Sequence, residues 1–218
     1  MQLFTKTNIK PLLLLLLGSV SILFGALQIT LISQGPEGAV QDMASPAYFS
    51  MPLPILTHII FGTLFNLLMP LQFMPQIRAK KPAFHRLLGR FLILFALGFG
   101  FSALWMNQFY PQYGGMMKYM GIVSHVVVML AALTLALVAI RRRNIATHRI
   151  WMMRLTAAAL SPATQRLVAV PAFLLFGESV LTDAVIAGFI WFGLVANLLF
   201  VEWILRKETR SVSLNRAF

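Results

Sequence analysis

The sequence predicts an all-α polytopic membrane protein, with six transmembrane helices and a four-helix core formed by spans two to five. Three observations carry this prediction. Apolar residues make up 59% of the 218-residue chain and charged residues only 11%, against about 25% charged in a typical soluble domain. Mean hydropathy is +0.80. The 18 lysines and arginines outnumber the 6 acids, yet they gather in particular connections. In a polar chain such an excess would point to nucleic acid; here it marks the sides of a bilayer, and no nucleic-acid partner is expected. The absence of cysteine excludes disulfides, thiolate metal sites and a cysteine nucleophile.

A bilayer core of about 30 Å needs roughly 20 apolar residues at 1.5 Å each. Six stretches qualify, at about 11–33, 53–76, 84–106, 117–140, 150–176 and 182–205, which makes the whole of 1–218 one integral-membrane domain. Lys6, Lys10 and the leucine run 12–17 resemble a signal peptide. The apolar stretch is long, however, and no clear small-x-small cleavage site follows it, so a retained helix is expected. Pro70, Pro75, Pro162 and Pro171 are expected to kink their spans and release backbone carbonyls.

Charge alternates along the connections. Lys6 and Lys10 precede the first span, and Arg78, Lys80, Lys81, Arg86 and Arg90 surround the second connection. Arg141, Arg142, Arg143 and Arg149 surround the fourth, and Arg206, Lys207, Arg210 and Arg216 follow the last span. The odd connections hold Glu37, Asp42, Glu178 and Asp183, with Lys118 their only cation. The positive-inside rule therefore puts both termini and the even loops in the cytoplasm of a bacterial inner-membrane protein. Trp105, Tyr110, Tyr113 and Tyr119 fall at the opposite interface, where amphipathic rings settle. The cluster Arg141–Arg143 is read as a topology determinant and anionic-lipid contact.

The chemistry-bearing residues are four histidines, one on each of spans two to five: His58, His85, His125 and His148. His58 and His125 lie several residues inside spans that enter from outside, and His85 and His148 open spans that enter from the cytoplasm. About 16 to 18 residues of helix separate the two levels by roughly 20–27 Å. That distance excludes one four-histidine metal site and leaves two pairs, His58 with His125 and His85 with His148. Two imidazoles facing each other across a helical bundle are what a six-coordinate b haem requires, so two b haems are expected, with these histidines as axial iron ligands. A copper ion at a single pair would use the same ligands.

Supporting positions follow the helical repeat. Gly62 and Gly89 lie four residues after His58 and His85, and Gly121 four before His125, each on its histidine's face. Either a flat macrocycle or a neighbouring helix would use such a face; His148 has Met152 there instead. Arg86, Arg90, Arg149 and Arg154 lie within about two turns of the inner pair and are candidates to hold propionates. Arg166, in the outer half of span five, would meet an outer propionate or an anionic substrate. Asn66, Gln72 and Gln76 continue the His58 side of span two, and Glu202 near the inner end of span six would pair with a basic residue or relay a proton.

Two resemblances emerge from these residues. The segments His58-Ile-Ile-Phe-Gly62, His85-Arg-Leu-Leu-Gly-Arg90 and His148-Arg-Ile-Trp-Met-Met-Arg154 resemble an uncharacterised family of bacterial predicted membrane proteins, a domain of unknown function. Its recurring motifs are His-Arg-x-x-Gly-Arg and His-Arg-x-Trp-Met-x-Arg, and the likeness runs over about 53–200. The architecture of six spans with one histidine per core helix is similar to the cytochrome b561 family, whose members hold two b haems and carry electrons across a membrane, commonly from ascorbate to ferric or radical acceptors. That likeness implies the same pairing of His58 with His125 and His85 with His148. The histidine spacing differs, and no ascorbate-binding signature is present.

The function expected is therefore a dihaem b-type membrane cytochrome, a trans-membrane electron-transfer oxidoreductase if it is an enzyme at all. Its donor and acceptor would be drawn from quinols, ascorbate-like reductants and ferric chelates, and nothing sets a monomer against a homodimer. Two other classes compete. A small transporter or proton/anion relay would use the same histidines with Arg166 and Glu202. A structural or accessory membrane subunit would use them only for packing.

Overall fold

A computed structural model describes residues 9–36, 45–111, 114–180 and 182–214. Lys6, Glu37, Asp42, Tyr113 and Arg216 lie outside the described residues. The elements are α1 (Ile9–Ser33), α2 (Ala47–Ser50), α3 (Pro52–Gln72), α4 (Pro75–Lys80), α5 (Pro82–Phe109), α6 (Gly115–Arg141), α7 (Ile145–Ala159), α8 (Ser161–Phe176) and α9 (Asp183–Leu214), with a 3-10 turn at Gly177–Val180. Six helical stretches among them are long and apolar enough to cross a bilayer, as an all-α polytopic membrane protein requires. Leu174 and Leu175 are 75% and 77% exposed, which only a lipid environment makes inexpensive. Two compact units divide the chain, one ending at Gly115 and the other beginning at Met116.

In the first unit α3 packs against both α1 and α5. Lipid tails are as apolar as leucine, so helix association here rests on close backbone approach more than on burial from water. Glycines supply that approach. A Cβ on Gly18 would lie 3.2 Å from the Asn66 Cβ, and one on Gly25 would lie 3.1 Å from the Ile59 Cγ2. Between α3 and α5 the fit is reciprocal: Phe61 fills the place of the missing Gly98 side chain, and the Phe99 ring covers Gly62. Ile55, Ile59, Phe65 and Met69 on α3 are buried, as are Leu88, Leu92, Ala96 and Phe99 on α5.

At one end of this unit Tyr110 closes the core. It packs with Ala47, Ile55 and Ile59, its ring meets Tyr48 at 5.6 Å, and its hydroxyl donates to the Met51 carbonyl at 2.6 Å. Trp105 Nε1 donates to the Met51 sulfur at 3.1 Å. Burial pushes the Tyr110 phenol above its ordinary range, and the backbone of Ile55 pulls it part of the way back. A phenol raised on folding contributes stability that is fully present below the unfolded value, about 10, and that is lost as pH rises through the folded value. Tyr110→Phe should cost about 0.5–1.5 kcal/mol below pH 10 and should flatten the fall in melting temperature above it. Thermal unfolding in detergent across pH 8–11 checks both.

The second unit holds the main departure from the sequence expectation. Span five begins at Ile145, five residues earlier than expected, and is two helices, α7 and α8, divided at Leu160. The cause is Pro162, which has no N–H to donate to the Ala158 carbonyl and sits at the start of α8. Asn197 on α9 bridges the break. Its Nδ2 donates to the Ala157 carbonyl at 3.0 Å, and its Oδ1 accepts from the Thr164 hydroxyl at 2.8 Å. One side chain thus engages both halves, as a broken helix inside a membrane requires. Gly193 allows the approach: a Cβ there would lie 2.5 Å from the Ser161 carbonyl oxygen. Pro70 and Pro171 remain inside α3 and α8, and Pro75 opens α4, so span two ends at Gln72.

The α6–α7 turn wastes no residue. Arg143 takes a left-handed conformation (φ 57°), its N–H reaching the Ile140 carbonyl at 2.9 Å while the Asn144 N–H reaches Ala139 at 2.9 Å. This is the Schellman pattern. Asn144 then caps α7, its Oδ1 accepting from the Thr147 N–H at 3.0 Å.

Candidate functional site

The four histidines fall on four different helices, two in each unit. His58 lies on α3, where the reciprocal glycine–phenylalanine fit brings α5 close. Its Nδ1 is 3.2 Å from the Phe99 carbonyl and 3.2 Å from the Ser102 hydroxyl, and its ring lies against Phe99 with centroids 4.5 Å apart. A carbonyl only accepts, so Nδ1 carries the hydrogen and the lone pair belongs to Nε2.

His148 repeats this arrangement in the other unit. The Asn144 cap sets the first turn of α7, and four residues on, His148 reaches back to α6, where its Nδ1 lies 2.9 Å from the Ala136 carbonyl. The same reasoning assigns its lone pair to Nε2. His125 on α6 has Nδ1 2.9 Å from the hydroxyl of Ser161, a serine only 2% exposed at the break in span five. A hydroxyl both donates and accepts, so this contact fixes the ring's orientation without fixing its tautomer. His85 occupies the fourth position of α5, as His148 does in α7. Its carbonyl accepts from Gln72 Nε2 at 3.0 Å, tying the end of α3 to the start of α5.

The arginines divide. Arg154 forms a two-pronged pair with Glu202 on α9, Nε to Oε1 at 2.6 Å and Nη2 to Oε2 at 3.1 Å, and stacks on Trp151 at 4.4 Å. Arg149 reaches both oxygens of Glu208, at 2.9 and 2.8 Å. Both were expected near propionates; both are engaged by carboxylates from the sixth span. Arg166 donates from Nη1 to the Pro162 carbonyl of its own helix at 3.0 Å. Arg86 and Arg90 are exposed on the first turns of α5.

The Arg154–Glu202 side chains are 26% and 36% exposed, against 49% and 34% for Arg149–Glu208. Exposed pairs are worth about 0–1 kcal/mol, whereas breaking a buried one costs about 3–5. The two glutamates are about equally exposed and Arg154 is the more covered arginine, so Glu202→Gln should destabilise by about 1 kcal/mol and Glu208→Gln by less. The exchange Arg154→Glu with Glu202→Arg should recover most of the first loss. Melting temperatures of the detergent-purified variants decide it, and equal losses at the two positions would refute the ranking.

The glycine faces are filled from within each unit. Phe99 covers Gly62, while Ile190 and Trp191 cover Gly121, with Trp191 Nε1 also donating to the Met117 carbonyl at 3.1 Å. At Gly89 the nearest group is Gln72 Nε2, 3.7 Å from a Cβ position. Gly62 and Gly121 thus serve helix packing, and neither offers an open face to a flat macrocycle. A metal-binding imidazole characteristically donates its other N–H to a carbonyl, carboxylate or water, and the Nδ1 groups of His58 and His148 each lie against a carbonyl.

Four residues that matter here leave little mark in the sequence. Ser161, Asn197 and Gly193 carried only weak signals, a Ser-Pro pair inside a span and an asparagine in an apolar run. Glu208 lies beyond the apolar stretch of span six, where hydropathy gives no signal.

No curated protein and no solved structure matches this chain. A family model does: it covers residues 55–205, a stretch that holds all four histidines, both His-Arg motifs and the carboxylate of Glu202, and its description is "Predicted membrane protein (DUF2306)". That match spans well over half of the chain, which therefore belongs to the DUF2306 family of predicted membrane proteins.

Proposed function

We propose that this chain is a b-type membrane cytochrome that carries electrons across the bilayer, with its four histidines as axial ligands to two haems. The observation that supports this most is the common anchoring of His58 and His148. In each, Nδ1 is held by the backbone carbonyl of the adjacent helix, and Nε2 is the nitrogen an imidazole then offers to iron. On their depth along the sequence of each span, His58 would pair with His125 and His85 with His148. Haem would supply the one-electron chemistry. The chain's own part would be to fix the ring angle of three histidines, through Phe99 and Ser102 for His58, Ser161 for His125 and Ala136 for His148, and the tautomer of His58 and His148 as well. Arg86 and Arg90 remain the candidates for propionates near the inner pair, with Arg166 toward the outer side. Arg149 and Arg154 would have to leave Glu208 and Glu202 to serve. Quinols, ascorbate-like reductants and ferric chelates are the classes of partner to test, with the bacterial inner membrane as the site of action.

A proton or anion relay is the second reading, and the break in span five favours it. An interrupted helix with His125, Ser161, Thr164 and Asn197 around the interruption is a pattern also used by transporters. A dithionite-reduced minus oxidised spectrum of the purified protein, with haem counted as the pyridine haemochrome, separates the two. About two haems per chain are expected for bis-histidine ligation at two levels. A colourless protein, expressed with ample haem, would overturn the cytochrome reading and favour the relay.

A further inference from the structure

Where α4 meets α5 the first unit carries a cavity of about 300 Å³ lined by Gln76, Ile77, Lys80, Lys81 and Phe84. No histidine lines it, and its composition is of two kinds. Ile77 and the Phe84 ring, the latter 44% exposed, form apolar walls, extended by the methylene stems of the lysines. Two adjacent exposed lysines, Lys80 and Lys81, line the cavity with them and bring two positive charges to its rim. The backbone fixes this arrangement. The Lys81 N–H donates to the Ile77 carbonyl at 2.9 Å, and the Lys81 carbonyl accepts from the His85 N–H at 3.0 Å. Gln72 holds α3 to the start of α5 through the His85 carbonyl, at 3.0 Å.

The cavity lies at the connection between the second and third spans, at the edge of the bilayer core. Its charge and its apolar walls together select an amphiphile with an anionic head. A free phosphate would leave Ile77 and Phe84 unused, and a neutral quinone would leave two ammonium groups uncompensated. We propose that this cavity is a binding site for one anionic phospholipid, its phosphate on Lys80 and Lys81 and the top of its acyl chains against Ile77 and Phe84.

The test uses the full chain, delipidated in detergent, with phosphatidylglycerol, phosphatidylcholine and inorganic phosphate as probes and binding read by native mass spectrometry. One tight phosphatidylglycerol is expected per chain. A lysine beside an anionic lipid strengthens binding about fivefold, so Lys80→Gln with Lys81→Gln should weaken it about 25-fold while leaving phosphatidylcholine binding unchanged. Phe84→Ala should weaken it several-fold with both lysines in place. Both lysines are exposed, so melting temperature and far-UV circular dichroism of the double variant should match the parent. Three results would each overturn the proposal: no preference for phosphatidylglycerol over phosphatidylcholine, a preference that survives the lysine variant but is lost in Arg141→Gln/Arg142→Gln/Arg143→Gln, or inorganic phosphate competing as well as the lipid does.

Discussion

Gly193→Ala should destabilise the protein while Gly188→Ala, five residues earlier on the same helix, should stabilise it. Both changes replace glycine by the best helix former, and at an unobstructed helical position that is worth roughly 0.5–1 kcal/mol. Around Gly188 no described atom lies within 4 Å of a Cβ position, so the propensity gain should appear alone. At Gly193 the new methyl would stand 2.5 Å from the Ser161 carbonyl oxygen and 3.2 Å from Gln165 Cβ and N. Two of those atoms are backbone and cannot rotate away. Overpacking costs about 1–3 kcal/mol, and a 2.5 Å approach to a backbone oxygen belongs at the upper end of that range, so the net effect is a loss of about 2 kcal/mol. Spreading α8 from α9 would also stretch the Asn197 bonds to Ala157 and Thr164 and draw Ser161 from His125. Melting temperatures in detergent provide the comparison. Losses of equal size at both positions would mean that close approach at the break is not what Gly193 supplies.

Replacing a histidine should remove a haem entirely, which makes these variants the sharpest examination of the cytochrome proposal. His58→Ala and His125→Ala should each abolish one haem, the same one in both, and leave the other with its spectrum intact. His85→Ala and His148→Ala should do the converse. A bis-histidine site loses its six-coordinate low-spin spectrum when either ligand is lost, so pyridine haemochrome counts and α-band positions read the outcome directly. Four single variants that all keep both haems would overturn the assignment of ligands. Ser102→Ala and Ser161→Ala keep the ligands and alter only what holds Nδ1, so they should shift a midpoint potential without changing the haem count.

Much of the fold was legible in the sequence because of the solvent it implies. A span is recognised from contiguous residues, about 20 of them at 1.5 Å each, and the six expected stretches coincide with six helical stretches to within a few residues at most ends. Span five was the exception. Its helix starts at Ile145, because Asn144 caps it, and hydropathy is blind to a cap. Its division at Leu160 was foreshadowed by Pro162, but a proline alone does not say whether a helix bends or breaks. Pro171 stays inside α8, whereas beside Pro162 stands Asn197, which takes up the Ala157 carbonyl.

The candidate residues follow the same division. One histidine on each of four spans, and their order of depth, could be counted along the chain. The use made of each glycine could not, since the face four residues from a histidine suits a ring of either origin. Only the structure put Phe99 over Gly62, and Trp191 with Ile190 over Gly121. The carboxylate partners of Arg149 and Arg154 lie 59 and 48 residues away in sequence, and no local pattern encodes such a separation.

What the sequence determined by itself is what adds up residue by residue: transfer of apolar segments into a bilayer, the placement of charge outside it, and the helical phase of four imidazoles. The tertiary structure decided what depends on two distant groups arriving at one point: the carbonyls that hold Nδ1 of His58 and His148, the asparagine that spans a broken helix, and the cavity that two lysines help to line. Hydropathy acts on each segment alone, whereas a hydrogen bond or an ion pair exists only within about 3 Å, and only packing brings α3 to α5, or α7 and α8 to α9, within that reach.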